Sequence, residues 1–438
     1  MNLTDNAQDK AWDSRFDTIT DPVHRAALQK LFAFYDPDRL AAWFASLYDA
    51  GSGGFYYADS ARDYEGFLPD IESTYQITRM MGRGMIPAGM SLPEFLGADV
   101  TAKMTEFIRS RQDPDTGYFI HPQFGKEMTM QHVMRYNRDL DWSCTILRDL
   151  RSAPLYPTPF ERMKDAAGDT GTAANAEGWE PNEASVKAYV HRLLTTQDTE
   201  RWSNTLSTQK SMFTATGVMD YVLDALDEAV NPEYGLWVKS RNPDGSYVNL
   251  IGTTEPAYGI YTTTYKLLIL YNGEKGRRFA HAQKMAENAV ITVNSRKPAI
   301  RVTYLYNPWA TLTNLHANLK NFGTDEERAA FDTLVRENVA GMIDSLLVNL
   351  GDFRHADSSF SFLPFRSSPT IYGTPVSLGY DEGDVNGTLC GLCATLGAAC
   401  TALGYPAIPL FAPRHGKTML DAMRRAVPVM KKPQPAKA

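Results

Sequence analysis

The sequence predicts an all-α protein built from six helical hairpins that close into a ring. The first observation behind this prediction is a turn followed by an aromatic residue, which recurs along the chain with a period of about sixty residues. The second is a Thr that opens an apolar segment downstream of each turn. The clear aromatic anchors are Phe55, Phe119, Tyr247 and Phe360, and weaker candidates fall in the two longer gaps between them.

The segments between the anchors are of two kinds. Residues 220–228 and 326–347 place apolar side chains at i, i+3 and i+4 and charges on the other side, which predicts amphipathic helices with one solvated face. The segments that open at Thr264 and Thr388 carry less charge and more small residues, as helices buried on most sides do. One helix of each kind makes a hairpin, so a ring of hairpins has an inner buried layer and an outer amphipathic layer.

The composition is that of a globular protein with a large core. The chain has 438 residues, a net charge of −7, 22% charged residues and 43% apolar residues. Because it has no block of basic residues, nucleic acid is not an expected partner. Four cysteines do not make a disulfide framework, and the first residues show no secretory signal. We therefore expect a cytoplasmic protein; its oligomeric state is left open.

An uncharged stretch at 385–413 is long enough to cross a bilayer. It is rich in Gly, Ala, Cys and Thr and is interrupted near its end by Gly404 and two prolines, which favours a buried helix over membrane insertion. We expect a single domain over 1–430, with a loop insertion near 165–182 and a disordered tail at 431–438.

The turn Gly53-Gly54-Phe55 and the downstream segment Ser73-Thr74-Tyr75 resemble the repeat of the α/α-toroid proteins, also called (α/α)6 barrels. The resemblance covers roughly residues 40–410 and implies an (α/α)6 toroid. This class includes glycoside hydrolases, polysaccharide lyases, sugar epimerases, terpenoid cyclases and protein prenyltransferases. The resemblance is therefore informative about the fold and leaves the chemistry open.

Acidic residues are concentrated in the loops that lead into the predicted inner helices, where they would line the mouth of a funnel. The spacing Asp-x-x-x-Thr occurs at Asp70, Asp141 and Asp384. An Asp at this place also caps a helix, but capping does not explain the neighbouring acids in 381–384. Asp141 and Asp384 are the first catalytic pair that we predict, with Asp70, Glu255 and Glu382 in reserve.

Two carboxyl groups that face each other across a funnel suit glycoside hydrolysis, in which one protonates the leaving oxygen and the other activates water or attacks. We expect a small-molecule or oligosaccharide substrate, with an acidic sugar as one option, because sugar rings pack on aromatic rings and arginines bind carboxylates. The predicted substrate-binding residues are Tyr56, Asp63, Glu65, His121, Trp142, Tyr258, Tyr261, Arg301, Trp309, His355, Arg366 and Asn386.

Several alternatives remain open. A lyase could use Tyr258, Tyr261, His121 and Arg301 to abstract a proton beside a uronate carboxylate. A terpenoid cyclase, a sugar epimerase or a toroid that only binds carbohydrate are further options. The pair Cys390 and Cys393 lies in the least polar segment without a nearby His, so we expect no metal site and no cofactor.

Overall fold

The computed structural model describes residues 6–131, 133–159, 161–162, 179–371 and 373–435. This part of the chain is mostly helical, with little strand, so the prediction of an all-α protein is confirmed. The helices are Asn6–Asp13, Pro22–Ala33, Pro37–Ser46, Asp59–Asp63, Ile71–Met81, Leu92–Leu96, Ala98–Arg109, Gly125–Gln131, Val133–Asp149, Glu183–Leu194, Thr199–Thr208, Lys210–Ala215, Met219–Ala229, Ala257–Tyr271, Ala282–Val293, Val302–Phe322, Asp325–Leu350, Gly351–Phe353, Val385–Thr388, Leu389–Ala394, Thr395–Ala402 and Pro413–Arg425.

Two small antiparallel sheets lie among these helices. Val238–Arg241, Tyr247–Asn249 and Thr254–Glu255 form a three-stranded sheet that leads directly into the helix at Ala257. Thr370–Ile371 and Thr374–Pro375 form a short hairpin. The larger sheet matters for the site because its last strand ends at Glu255.

Six helical segments, which we call core helices 1 to 6, carry many of the buried polar residues. In chain order they are Ile71–Met81, Val133–Asp149, Thr199–Thr208, Ala257–Tyr271, Val302–Phe322 and the continuous segment Val385–Ala402. Core helix 1 packs on 2, core helix 3 on 4, 4 on 5, and 5 on 6, and core helix 6 returns to contact core helix 1.

Amphipathic helices cover this core. Ala98–Arg109 packs on core helix 2, and both Ala282–Val293 and Asp325–Leu350 pack on core helix 5. Met219–Ala229 packs on Glu183–Leu194. The helices predicted over 220–228 and 326–347 are therefore present, with their apolar stripes buried and their charged faces in solvent.

The core helices begin at the same end of the protein. The backbone of residues 55–57 accepts hydrogen bonds from the N–H groups of Asp70 (3.0 Å) and Val385 (2.9 Å), which joins the starts of core helices 1 and 6. Phe362 joins core helices 5 and 6, because it accepts a hydrogen bond from the Val302 N–H and donates one to the Asp384 carboxylate. The ion pair of Arg135 with Glu72 joins the starts of core helices 1 and 2. The hydrogen bond of Thr199 to Glu255 and the ion pair of Glu200 with Arg301 join the starts of core helices 3, 4 and 5.

The repeated turn has a common backbone geometry. In three turns an Asp or Asn N–H donates to a carbonyl five residues later, and the glycine between them has a positive φ: Gly53 at 85°, Gly117 at 77° and Gly235 at 65°. Only glycine adopts this conformation without strain. In the fourth unit the turn with this geometry lies at 231–236. The turn predicted before Tyr247 is also present, with Gly245 at a φ of 85°, but it joins two strands of the small sheet.

Within the part of the chain that the structure describes, the main apolar cluster extends from Phe16 to Met423, and a small second cluster contains Tyr57, Ala58, Ile371 and Val376. Among the described residues, one helix, Val385–Ala402, is long and apolar enough to cross a membrane, but 71% of it is buried inside the protein. It packs on core helices 5 and 1. This burial fits the central helix of a soluble protein.

The sequence predicts that two segments lie outside the regular structure, the insertion near 165–182 and the tail at 431–438. Of the insertion predicted near 165–182, residues 165–178 lie outside the described residues. The tail predicted to be disordered instead makes ordered contacts as far as Gln434: the Lys432 N–H donates to the Asp63 carbonyl at 2.8 Å, and the Glu65 N–H donates to the Lys432 carbonyl at 2.9 Å. Residues 436–438 lie outside the described residues.

Candidate functional site

A polar cavity of about 350 Å³ opens at the starts of core helices 3, 4 and 5. Three carboxylic acids, one arginine and one tyrosine face it, together with small side chains that leave room for a ligand. The lining residues are Gln197, Asp198, Thr199, Glu200, Glu255, Pro256, Gly259, Thr262, Arg301 and Tyr304.

Glu255 is held at the cavity by hydrogen bonds to one of its two carboxylate oxygens. The hydroxyl of Thr199 donates to Glu255 Oε1 at 2.9 Å, and the side-chain amide of Asn249 donates to the same atom at 3.1 Å. Thr199 is the first residue of core helix 3, and Glu255 ends the strand that precedes core helix 4. The strand-to-helix connection therefore positions Glu255 directly over the next helix start.

Glu200 lies beside Thr199 and forms an ion pair with Arg301, with 3.4 Å between the Arg301 Nη1 and the Glu200 Oε2. Arg301 is the residue before core helix 5. Tyr304, one turn later, is half-buried in the same wall, and its burial raises its pKa, so its hydroxyl is protonated at neutral pH. The cavity thus offers two glutamates, one of them paired with a cation, and a phenol that can donate a hydrogen bond.

A second polar cluster is buried between core helices 1 and 2. Arg135 is fully buried and donates from Nη1 to Glu72 at 2.7 Å and from Nε and Nη2 to both oxygens of Asp139, at 3.1 and 2.8 Å. Burial alone would lower the pKa of Arg135, but the charges of Asp139 and Glu72 outweigh burial and raise it. Arg135 therefore stays charged and holds the two carboxyl groups together.

Three carboxyl groups in this region are buried enough to hold protons near neutrality. Burial raises the pKa of Asp70 to about 7, and it raises the pKa values of Asp139 and Asp384 to about 6. Asp70 caps core helix 1 by accepting the Ser73 N–H at 2.7 Å. Each shift is a net effect, since hydrogen bonds or the neighbouring arginine oppose the desolvation.

The structure does not bring the predicted catalytic pair together. Asp384 is fully buried and accepts backbone N–H groups from Gly387, Phe362 and Ser368 at 2.6, 2.8 and 3.1 Å, so it acts as a helix cap. Asp141 lies in the middle of core helix 2 and is exposed. The prediction that Asp141 begins a helix and faces Asp384 is wrong, because core helix 2 begins two turns earlier.

Glu382 is likewise engaged by the protein rather than by an open cavity. Its two oxygens accept hydrogen bonds from the Ser60 N–H at 2.7 Å, the Ser60 hydroxyl at 2.5 Å and the Ser367 hydroxyl at 2.9 Å. Its burial raises its pKa. Of the five predicted catalytic residues, Glu255 is the one that lines the cavity of about 350 Å³.

Most of the predicted aromatic ligands are core residues. Trp309 and Tyr261 are fully buried, and the Tyr258 hydroxyl donates to the Ser295 carbonyl at 2.9 Å. Tyr56 is buried beneath the Lys431 ammonium, 4.3 Å from its ring centre. Trp142 stacks on Tyr75 with 5.2 Å between ring centres. None of these five predicted residues lines the cavity, and their contacts are those of packing.

The predicted polar ligands are spread over several surfaces. Arg301 lines the cavity, whereas Glu65 and Arg366 are exposed elsewhere and Asp63 pairs with Arg62 at 2.7 Å. His355 pairs with Asp381 at 3.1 Å and lines a separate depression with Phe34, Arg39 and Arg354. Such dispersal contradicts the expectation that these residues share one funnel wall.

His121 and Asn386 lie near the buried cluster. Asn386 accepts a hydrogen bond from the Gln76 amide at 3.2 Å, and Gln76 also donates to Glu72. His121 is fully buried; burial and the charge of Arg135 lower its pKa well below 6.5, so the ring is neutral. Both residues therefore belong to the polar packing between core helices 1, 2 and 6.

No group of three or more His, Cys, Asp or Glu side chains within the described part of the chain could hold a metal ion. The thiols of Cys390 and Cys400 are buried and unbridged, and burial raises their pKa values to about 12 and 11. Such thiols remain protonated at neutral pH and serve as small packing groups.

Sequence reasoning missed Glu200 and Tyr304 in the cavity, and it missed Arg135, which pairs with Glu72 and Asp139. For Glu200 the signal is the string Asp198-Thr199-Glu200, in which an Asp caps a helix whose first turn is acidic. Arg135 carries no local signal, because only packing shows that it is buried. No protein-family model matches this chain, and neither a curated protein nor a solved structure does.

Proposed function

We propose that the six core helices close into a ring and that the protein is an (α/α)6 toroid. Two observations support this arrangement. Core helices 1 and 2 contact each other, core helices 3 to 6 contact one another in chain order, and core helix 6 contacts core helix 1, while all six begin at the same end of the protein. Parallel inner helices with a shared N-terminal end form the mouth of a funnel, and the cavity with Glu200 and Glu255 opens there.

We further propose that the protein is a glycoside hydrolase that acts on a short oligosaccharide by carboxylate acid–base catalysis. The observation that carries this proposal is that Glu200 and Glu255 face one open, polar cavity from two different helix starts. Glycoside hydrolysis needs two such carboxyl groups, one to protonate the leaving oxygen and one to activate water or attack. A cavity of about 350 Å³ is at the small end of ligand sites, so it favours a short oligosaccharide over a polymer. A short oligosaccharide also suits the expected cytoplasmic location.

The contacts of the two glutamates suggest their roles. Glu200 pairs with Arg301 and so acts in our proposal as the carboxylate that activates water. Glu255 receives both of its hydrogen bonds on Oε1, which leaves Oε2 to carry the proton to the leaving oxygen. Tyr304 and Arg301 bind the sugar hydroxyls between them. Each step uses only the groups that line the cavity.

The lyase alternative receives less support. Its residues would have to meet around a uronate, yet Tyr258 and Tyr261 pack into the core and His121 lies in the buried cluster, whereas Arg301 lines the cavity. Among the described residues Tyr304 is the tyrosine that lines the cavity, and its raised pKa keeps the hydroxyl protonated at neutral pH, so little phenolate is present to act as a base.

A screen of chromogenic glycosides with the purified protein tests the proposal. With the best substrate, Glu255→Gln and Glu200→Gln should each lower kcat by roughly 10²- to 10⁴-fold, because glutamine keeps the shape and removes the proton transfer. The control is Glu326→Gln, an exposed glutamate at the start of Asp325–Leu350, which should leave kcat and Tm unchanged. The proposal fails if no glycoside is cleaved, if both cavity variants keep full activity, or if products absorb in the near ultraviolet as a lyase product does.

A further inference from the structure

Lys266 lies on core helix 4, about one turn beyond Thr262, the last residue of that helix that lines the cavity. Gly259 and Thr262 line the cavity, and Lys266 follows them on the same helical face, four residues after Thr262. Helical side chains lean toward the N-terminus, and a lysine is long enough to reach back by about one turn. The ammonium of Lys266 therefore extends toward the inner end of the cavity.

The Lys266 side chain is almost entirely enclosed and has no ion-pair partner among the described carboxylates. Only 7% of the residue is exposed, and its Nζ lies 5.7 Å from the centre of the Tyr265 ring. Glu200 and Asp198 attract the ammonium from the cavity wall, and Arg138 of core helix 2 repels it. Burial lowers the pKa of Lys266 to about 8, so it is mostly protonated at pH 7.

An enclosed cation without a close anion is costly, because its desolvation is not compensated. Arg301, the cation that lines the cavity, is already paired with Glu200. A ligand that brings one negative charge to the inner end of the cavity would supply the close anion that the Lys266 ammonium lacks. A phosphate fits less well, since the three carboxylates in the wall, of which Arg301 pairs with one, would repel its second charge.

We infer that Lys266 is the binding site for a carboxylate group of the substrate, and hence that the protein acts on an oligosaccharide containing a uronic acid. The carboxylate accepts hydrogen bonds from the Lys266 ammonium at the inner end of the cavity while the glycosidic oxygen lies near Glu200 and Glu255. This inference rests on the proposed function, because it places a sugar in the same cavity.

The first test is the chemical reactivity of the lysine in the intact protein. Acetylation of amines near pH 8, followed by mass spectrometry, is compared with no ligand, with glucuronate, with glucose and with glucose 6-phosphate. Glucuronate should slow the modification of Lys266 at least severalfold and glucose should not, while the exposed Lys239 serves as the internal control. Equal protection by glucose, protection by the phosphate alone, or no protection at all would overturn the inference.

The second test is calorimetric titration of the wild type and of Lys266→Met with the same sugars. The wild type should prefer glucuronate over glucose by roughly tenfold to a hundredfold, the contribution of a charged hydrogen bond, and the variant should lose this preference. The preference should also fall as pH rises through about 8, where Lys266 loses its proton under the influence of Glu200, Asp198 and Arg138. A preference that survives in the variant contradicts the inference.

The inference and the proposed function fail in different ways. If neutral glycosides are cleaved and glucuronate leaves Lys266 unprotected, the hydrolase proposal stands and the uronate inference falls. If glucuronate protects Lys266 but no glycoside or uronide is cleaved, the binding site stands and the hydrolase proposal falls. Should Lys266→Met not fold, the protection measured on the wild type decides alone.

Discussion

Asp70 should make the protein less stable as pH rises, and Asp70→Asn should remove that effect. The carboxyl group of Asp70 is fully enclosed and caps core helix 1 through the Ser73 N–H. An asparagine oxygen can accept the same hydrogen bond, so the variant keeps the cap and loses only the ionisation. Any difference between the two proteins that changes with pH then reports on this one carboxyl group.

The magnitude follows from the raised pKa. Asp70 holds its proton up to about pH 7 in the folded protein, whereas its ordinary value is 3.8. Between these values the folded state binds more protons than the unfolded chain, so the free energy of unfolding falls as pH rises. Each pH unit over which only the folded state holds this proton corresponds to about 1.4 kcal/mol, and because Asp70 is already half ionised at pH 7 the loss from pH 5 to pH 7 amounts to about 2 kcal/mol. Above about pH 7 to 8 the contribution of Asp70 to the free energy of unfolding changes little further.

Urea unfolding followed by circular dichroism, at several pH values from 5 to 8, measures this difference. The stability of Asp70→Asn relative to the wild type should rise by about 3 kcal/mol over the range. Asp139 and Asp384 contribute equally to both proteins, and their effects cancel. Two curves that stay parallel within about 1 kcal/mol would refute the argument that Asp70 is protonated in the folded state.

Two further predictions concern stability. Arg135→Met should lower the free energy of unfolding by about 3–5 kcal/mol at neutral pH, because it leaves two buried carboxylates unpaired, and adding Glu72→Gln should restore part of the loss in the same urea assay. Gly117→Ala should destabilise by about 2 kcal/mol more than Gly217→Ala, since both have a positive φ but a Cβ at Gly117 would lie 2.2 Å from a backbone oxygen while that at Gly217 would meet open space. Equal melting temperatures for the two glycine variants would contradict this reading of the turn.

The local parts of the fold were predictable from the sequence. The turns before Phe55, Phe119 and Phe360 and the caps at Asp70 and Asp384 are set by neighbouring residues, and the structure has them where the pattern predicts. Turn chemistry and helix capping act over four to six residues, which is why a single sequence displays them.

The candidate site was predicted only in part because it depends on contacts between distant segments. Glu200 and Arg301 are about a hundred positions apart, and nothing local indicates that they pair. The Asp-x-x-x-Thr spacing selected Asp141, although the buried acid of that helix is Asp139, two residues earlier. A shift of two residues rotates the side-chain direction on a helix by about 200°. Asp139 therefore faces the core, whereas Asp141 faces the solvent.

The central claim is that a sugar binds between Glu200 and Glu255 at the start of core helices 3 and 4. A crystal structure of Glu255→Gln soaked with the best substrate of the glycoside screen tests it most directly. We predict that a sugar ring occupies the cavity, with its glycosidic oxygen within hydrogen-bond distance of residue 255 and a water beside Glu200. A sugar bound instead at the depression near His355, or an empty cavity with a substrate that the wild type cleaves, would contradict the account.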